Sequence, residues 1–218
     1  MAKTAAASTR ALLLLMLAAV VASAGCGSDS SSPAAHARAK QRLVSAQASA
    51  SRFIGASIPA DTTTSDFALR DQNGRLIRLS DQRGRLVFVA FLYTHCEDVC
   101  PLIATWLDEA VRAQGARARD VRVLAVSVDP VGDTRSVVRR FMRKRRLGPE
   151  FHWLIGTRAQ LAPVWQSYNI LVDRRSPDRV VHSAPVFLLD RRGRARLFYP
   201  PPQNGREFTH DLRLLLAS

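Results

Sequence analysis

The sequence predicts an α/β sandwich, a mixed central sheet flanked by helices with a hairpin at its N-terminal side. Three observations carry this. A continuous apolar run, residues 86–93, and a second, largely apolar stretch, 121–128, are each followed by a helical pattern. Runs with no polar alternation suit strands buried on both faces. An Asn73-Gly74 turn lies between two short alternating segments upstream, which is a hairpin signal. Strands alternating with helices then imply a partly parallel sheet covered on both sides.

Taken in order, residues 67–70 and 76–79 form the hairpin, and Arg83-Gly84 marks another turn. Residues 86–93 form the central strand. Residues 101–114 read as a helix, with Ile103, Trp106, Leu107, Ala110 and Val111 at helical spacing and Pro101 in the first turn, where its missing N–H costs nothing. A second buried strand covers 121–128. A helix over 136–146, capped by Thr134, has a basic outer face. Residues 158–168 are helical, with an interruption expected at Pro163. Strands at 185–189 and 195–199 flank Arg192-Gly193, and residues 208–216 close the chain as a helix. Asp129 and Asp133 read as turn and cap residues. Trp106, Trp153 and Trp165 read as packing.

The segment ahead of the hairpin differs in texture. Lys3 and Arg10 precede an apolar run of about twelve residues, 11–22, and then Ser23-Ala24-Gly25-Cys26. The run is short for a membrane span and reads as an export signal. Small residues before a cysteine resemble the lipobox of bacterial lipoproteins, in which the cysteine takes the lipid. The expected organisation is a lipoprotein-type signal segment over 1–26, a Ser/Ala/Pro-rich tether over 27–65, in which residues 39–51 favour a helix, and a folded domain over 66–218. The chain would then be extracytoplasmic and anchored to the bacterial membrane through lipid at Cys26.

Net charge is +14, almost all from arginine, with three lysines only: Lys3, Lys40 and Lys144. The arginines are spread along the chain, so no nucleic-acid partner is expected. The densest run, 139–146, reads as a solvated helix face, with docking to an acidic partner or anionic lipid as the alternative use.

If Cys26 carries lipid, Cys96 and Cys100 are the remaining thiols, placed in an oxidising compartment. They sit where the central strand ends and a helix begins. That carboxyl edge is where open α/β sheets hold their chemistry. Two cysteines four apart, one in the first helical turn and one just before it, bring both sulfurs to one place. They can close a disulfide or share a metal ion. A helix N-terminus favours thiolate, while Glu97 and Asp98 oppose it. Thiols less acidic than the most oxidising C-x-x-C pairs are therefore expected. A metal would need a third ligand. Of the five histidines, His36 is in the tether, His210 in the closing helix, His152 beside Trp153 and His95 next to Cys96. His182, in a loop before a buried strand, is the best placed. Two sulfurs and one imidazole suit copper, whereas structural zinc normally takes four protein ligands.

The segment Tyr93-Thr94-His95-Cys96-Glu97-Asp98-Val99-Cys100-Pro101 resembles the signature of the Sco/SenC family, whose members are thioredoxin-like. Ser127-Val128-Asp129-Pro130 followed by Asp133-Thr134, the stretch 151–156 resembling a strand before a helix, and Val181-His182-Ser183 extend the resemblance over about 67–216 in the family's order. The resemblance implies a thioredoxin-like fold, a copper ion held by Cys96, Cys100 and His182, and a role in assembling the copper centre of cytochrome c oxidase. The implied partner is the oxidase's copper subunit or another copper protein. Copper delivery and thiol reduction are both compatible with it, and a chaperone fits better than an enzyme. A metal-independent thiol–disulfide oxidoreductase using Cys96 and Cys100 as its redox pair is the alternative. A peroxidase fits less well, since the usual threonine three residues before the reactive cysteine is absent. Two departures stand out. Val181 occupies a position where many members carry an aspartate that would orient the imidazole. Pro185 lies near the place where thioredoxin folds set a proline beside their cysteines, which leans towards dithiol chemistry.

Overall fold

A computed structural model describes residues 52–59, 62, 65–176, 179–201 and 203–218. The expectations for Cys26, His36, the export signal, the helix at 39–51 and most of the tether lie outside those residues. In chain order the elements are β1 (Ala56–Ser57), β2 (Ala68–Asp71), β3 (Leu76–Arg78), β4 (Leu86–Leu92), α1 (Val99–Arg112), β5 (Val121–Ser127) and α2 (Arg135–Arg145). Then follow β6 (Phe151–Ile155), α3 (Arg158–Ser167), β7 (Val172–Ser176), β8 (Arg179–His182), β9 (Val186–Leu189), β10 (Ala195–Tyr199) and α4 (Gly205–Ala217).

Eight strands form one mixed sheet in the order β1-β10-β9-β4-β5-β6-β2-β3, and β7 and β8 form a separate ribbon. β4 pairs in parallel with β5, and β5 with β6, while the other neighbours in the sheet are antiparallel. The apolar run of β4 is buried at every position, because helices cover both faces of a central strand. The register pairs Leu86 with Val121 and Leu92 with Ser127, so β4 and β5 end together at one edge. The expected hairpin is β2–β3, with Gly74 at φ 84° in its turn.

Three local differences from the sequence reading have clear causes. α3 runs through Pro163. Pro163 and the residue whose carbonyl it leaves unbonded, Ala159, are both exposed, so water can satisfy that carbonyl. α4 begins at Gly205, three residues earlier than expected, because Asn204 and Glu207 form a capping box. The segment ahead of residue 66 also takes part in the sheet, with Ala56 and Ser57 pairing on β10. The buried Asp211 carboxylate accepts hydrogen bonds from the backbone N–H of Ile54 and Gly55 and from the Tyr199 hydroxyl. A Cβ at Gly55 would lie 2.5 Å from the Tyr199 ring, which only glycine avoids.

Candidate metal and thiol site

The site forms where β4 and β5 end. Tyr93 and Thr94 leave β4, Cys96 lies in the following turn, and Cys100 is the second residue of α1. The helix starts two residues before Pro101, so Cys100 is fully buried within its first turn while Cys96 is partly exposed. Among the described residues both cysteines are free thiols.

The turn is held from below by Asp133, in the loop between β5 and α2. Its carboxylate accepts hydrogen bonds from the Thr94 N–H (2.9 Å), the Thr94 hydroxyl (2.6 Å), the Ser127 hydroxyl (2.6 Å) and the Trp153 indole (3.3 Å). Burial raises the pKa of this carboxyl, against the pull of its donors. Asp133 therefore does more than the turn or cap residue expected; the cap of α2 is Thr134.

The two sulfurs are inequivalent. Cys96 is drawn down to about 5, first by the hydrogen bond from the Cys100 thiol and then, against burial, by the backbone N–H groups of Cys100, Asp98 and Val99. Asp98 thus acts through its peptide N–H at least as directly as through its exposed carboxylate. Cys100 is pushed up, by the same hydrogen bond and by burial, and keeps its proton. The pair is one accessible thiolate backed by one buried thiol. The Tyr93 hydroxyl also faces the Cys96 sulfur; its pKa is pushed up to about 12, chiefly by burial.

His182 closes β8 of the ribbon and does not lie in a loop, as the sequence reading had it. Its Nε2 is 3.8 Å from Cys100 Sγ, and its Nδ1 is 2.8 Å from the Ser183 carbonyl oxygen. A carbonyl only accepts, so Nδ1 carries the hydrogen and the Nε2 lone pair faces the sulfurs. Burial lowers the histidine's pKa and favours this neutral form. The Tyr93 ring meets the imidazole edge-on, 5.6 Å between centroids at 80°. The orienting acceptor that Val181 cannot supply is thus a backbone carbonyl one residue later. Among the described residues, no group of three or more His, Cys, Asp or Glu side chains is arranged to hold a metal ion. Cys96, Cys100 and His182 gather around Cys100 without closing into a coordination shell.

The ribbon is pinned by an ion pair between Arg174 of β7 and the buried Asp129. Asp129 also accepts from the N–H groups of Val131 and Gly132 and lies 3.9 Å from His95 Nδ1. A Cβ at Gly132 would come within 2.2 Å of the Asp129 carboxylate and 2.8 Å of His95. His95 therefore pairs with Asp129. His152 pairs with Asp71 (3.3 Å) and His210 with Asp211 (2.7 Å). Tyr93, Asp129 and Asp133 were not singled out for the site by residue type. Their common signal is position, since all three leave β4 or β5 at the same edge.

The model of the SCO1/SenC family matches residues 55–217. The Bos taurus protein named SCO2 homolog, mitochondrial, is 30% identical over 160 residues, covering 70% of this chain and 59% of that protein. The chain thus spans less than two thirds of that relative's length. Copper-bound ScoI of Bradyrhizobium japonicum is similar in structure, with 30% identity and a TM-score of 0.63, covering 71% of this chain and 99% of that one. Apo Sco1 of Thermus thermophilus is 28% identical with a TM-score of 0.63, covering 75% and 96%.

Proposed function

The chain belongs to the SCO1/SenC family, and we propose that it binds copper through Cys96, Cys100 and His182. It acts as a metallochaperone or thiol reductant in assembly of the cytochrome c oxidase copper centre. The observation that carries this reading is the His182 tautomer, whose Nε2 lone pair is aimed at Cys100 while Nδ1 is held by Ser183. The donor set fits the ion, since two soft sulfurs and an imidazole suit Cu(I) and can also hold Cu(II). The relative solved with copper bound, at 30% identity, supports it. Cys96 is the partly exposed donor through which the ion would enter. Cys100 would give up its proton, so binding weakens as pH falls.

The oxidised and reduced forms of the same pair give a second reading, favoured by the inequality of the two thiols. The Cys96 thiolate attacks a partner's disulfide, forms a mixed disulfide and releases one partner thiolate. Cys100, losing its proton to solvent, then attacks Cys96 Sγ and releases the second. The partner gains two electrons and Cys96–Cys100 becomes a disulfide. No metal is needed.

Residues 1–26 would export the chain, Cys26 would carry the lipid that holds it outside the cytoplasm, and 27–65 would tether the domain at 66–218. No helix among the described residues is long and apolar enough to cross a membrane. The two readings separate on His182. In His182→Ala, Cu(I) affinity measured against a competing chelator falls while disulfide reduction persists; Cys96→Ser loses both. Unchanged copper affinity in His182→Ala sinks the three-ligand reading.

A further inference from the structure

The helix α2 carries a charge pattern that its own fold does not explain. Arg135, Arg139, Arg140, Arg143, Lys144 and Arg146 are all exposed, and no acidic residue occurs between Asp133 and Glu150. None of the six forms an ion pair among the described residues. Three pairs of like charge stand four apart, 135 with 139, 139 with 143 and 140 with 144, an arrangement that weakens a helix. Arg135 also sits at the positive end of the helix dipole. Arg143 and Lys144 suit the negative end of the dipole in the last turn, but Arg135 and the like-charge spacings break a local rule without an internal gain, which points to an external use.

The opposite side of α2 is committed to the core through the buried Val138 and Met142. Phe141, the aromatic residue inside the basic run, packs on Trp153 at 5.1 Å, and Arg145 stacks over Phe141. The cationic arc therefore lacks the exposed rings that stack on unpaired bases. It also lacks the apolar centre on which a protein partner would anchor. What remains is a convex row of guanidinium and ammonium groups about 16 Å long, suited to separate phosphate oxygens on a plane.

We propose that this arc of α2 docks on the headgroups of anionic membrane lipids. The arc matches the charge of such headgroups as it would that of any polyanion; what favours lipid is the anchor proposed at Cys26, on which this inference rests. The described fold begins at Arg52, 26 residues after Cys26, so a lipid at Cys26 would keep the fold within about 90 Å of the surface. α2 starts at the edge holding Thr94 and runs antiparallel to β5 towards the opposite edge. Docking along it lays the sheet with its face and strands parallel to the surface, and the Cys96 edge opens along the membrane plane, where a membrane-bound partner presents its own site.

The test uses the full chain with Cys26→Ser, which cannot be lipidated, floated with phosphatidylcholine vesicles with and without about one third phosphatidylglycerol. The preference for anionic vesicles is expected at low salt and lost near 0.5 M salt. Arg139→Gln, Arg140→Gln, Arg143→Gln and Lys144→Gln together should reduce that preference about tenfold or more. Glutamine keeps helix propensity, and the pair Arg139→Gln/Arg143→Gln should give an intermediate loss. Arg78→Gln, Arg83→Gln, Arg119→Gln and Arg192→Gln together, removing the same charge elsewhere, should change it about twofold or less. Equal binding to both vesicles, or equal loss in both fourfold variants, overturns the proposal. So does α2-dependent capture by soluble polyglutamate without vesicle binding. No outcome involves copper or thiols, so failure here leaves the copper reading standing.

Discussion

The Nδ1 of His182 donates to the Ser183 carbonyl at 2.8 Å, and this bond fixes which nitrogen faces the cysteines. Because the acceptor is main chain, the tautomer does not depend on the Ser183 side chain. Ser183→Ala should leave copper affinity within about threefold of the parent, while His182→Ala should lower it about tenfold or more. Competition titration on the two variants side by side checks the contrast, and a larger loss in Ser183→Ala would contradict it.

The ion pair between Arg174 and Asp129 holds the ribbon that carries His182. Arg174→Gln should therefore weaken copper binding part of the way towards His182→Ala, although Arg174 is not a ligand. Combined with His182→Ala it should add little, since both act on one donor. A double-mutant cycle in copper affinity measures this, and full additivity would separate the ribbon from the site.

Asp133 is buried under four donors. Asp133→Ala leaves them without a partner and should cost roughly 3–5 kcal/mol in urea unfolding. Asp133→Asn, which keeps an acceptor oxygen, should cost less. In Asp133→Asn the Cys96 turn is loosened, so the two thiols should become more alike in their rates of alkylation.

The reduced, metal-free protein should show a sharp division between its thiols. Cys96, drawn to about 5 from its ordinary 9.0, should react with iodoacetamide at a rate that rises through pH 5 and is flat by pH 7. The buried, protonated Cys100 should stay unreacted in the folded state. The sign for stability follows from the depression. The contribution of the Cys96 thiolate to folding is fully present above pH 9, declines below it and is gone below about 5. Urea midpoints of the reduced protein, compared with Cys96→Ser across that range, measure it.

Much of this was readable in the sequence because the signals were local. The unbroken apolar run of β4, the largely apolar stretch of β5, the Asn73-Gly74 turn and the helical spacing after Pro101 each depend on near neighbours. They place Cys96 and Cys100 at the correct edge. The ribbon was not readable, since Val172-Asp173-Arg174 and Arg179-Val180-Val181 lack the apolar alternation of a strand with one face in a core. β1 spans two residues and forms because β10 offers an edge. Asp129 does serve its turn, accepting from Val131 and Gly132, but the further pairings of Asp129 with Arg174 and of Asp133 with Thr94 join positions 45 and 39 apart and were not legible. The likeness of Val181-His182-Ser183 to the family pattern found the histidine; the carbonyl that orients it is a feature of the folded backbone.

The most direct measurement of the central claim is a Cu(I) titration of the protein with its thiol pair reduced and, separately, oxidised to the Cys96–Cys100 disulfide. A disulfide has no thiolate to offer, so one tightly bound copper is expected per reduced chain and none per oxidised chain, with the reduced form's affinity lowered by His182→Ala. Equal copper uptake by the reduced and oxidised forms would contradict it.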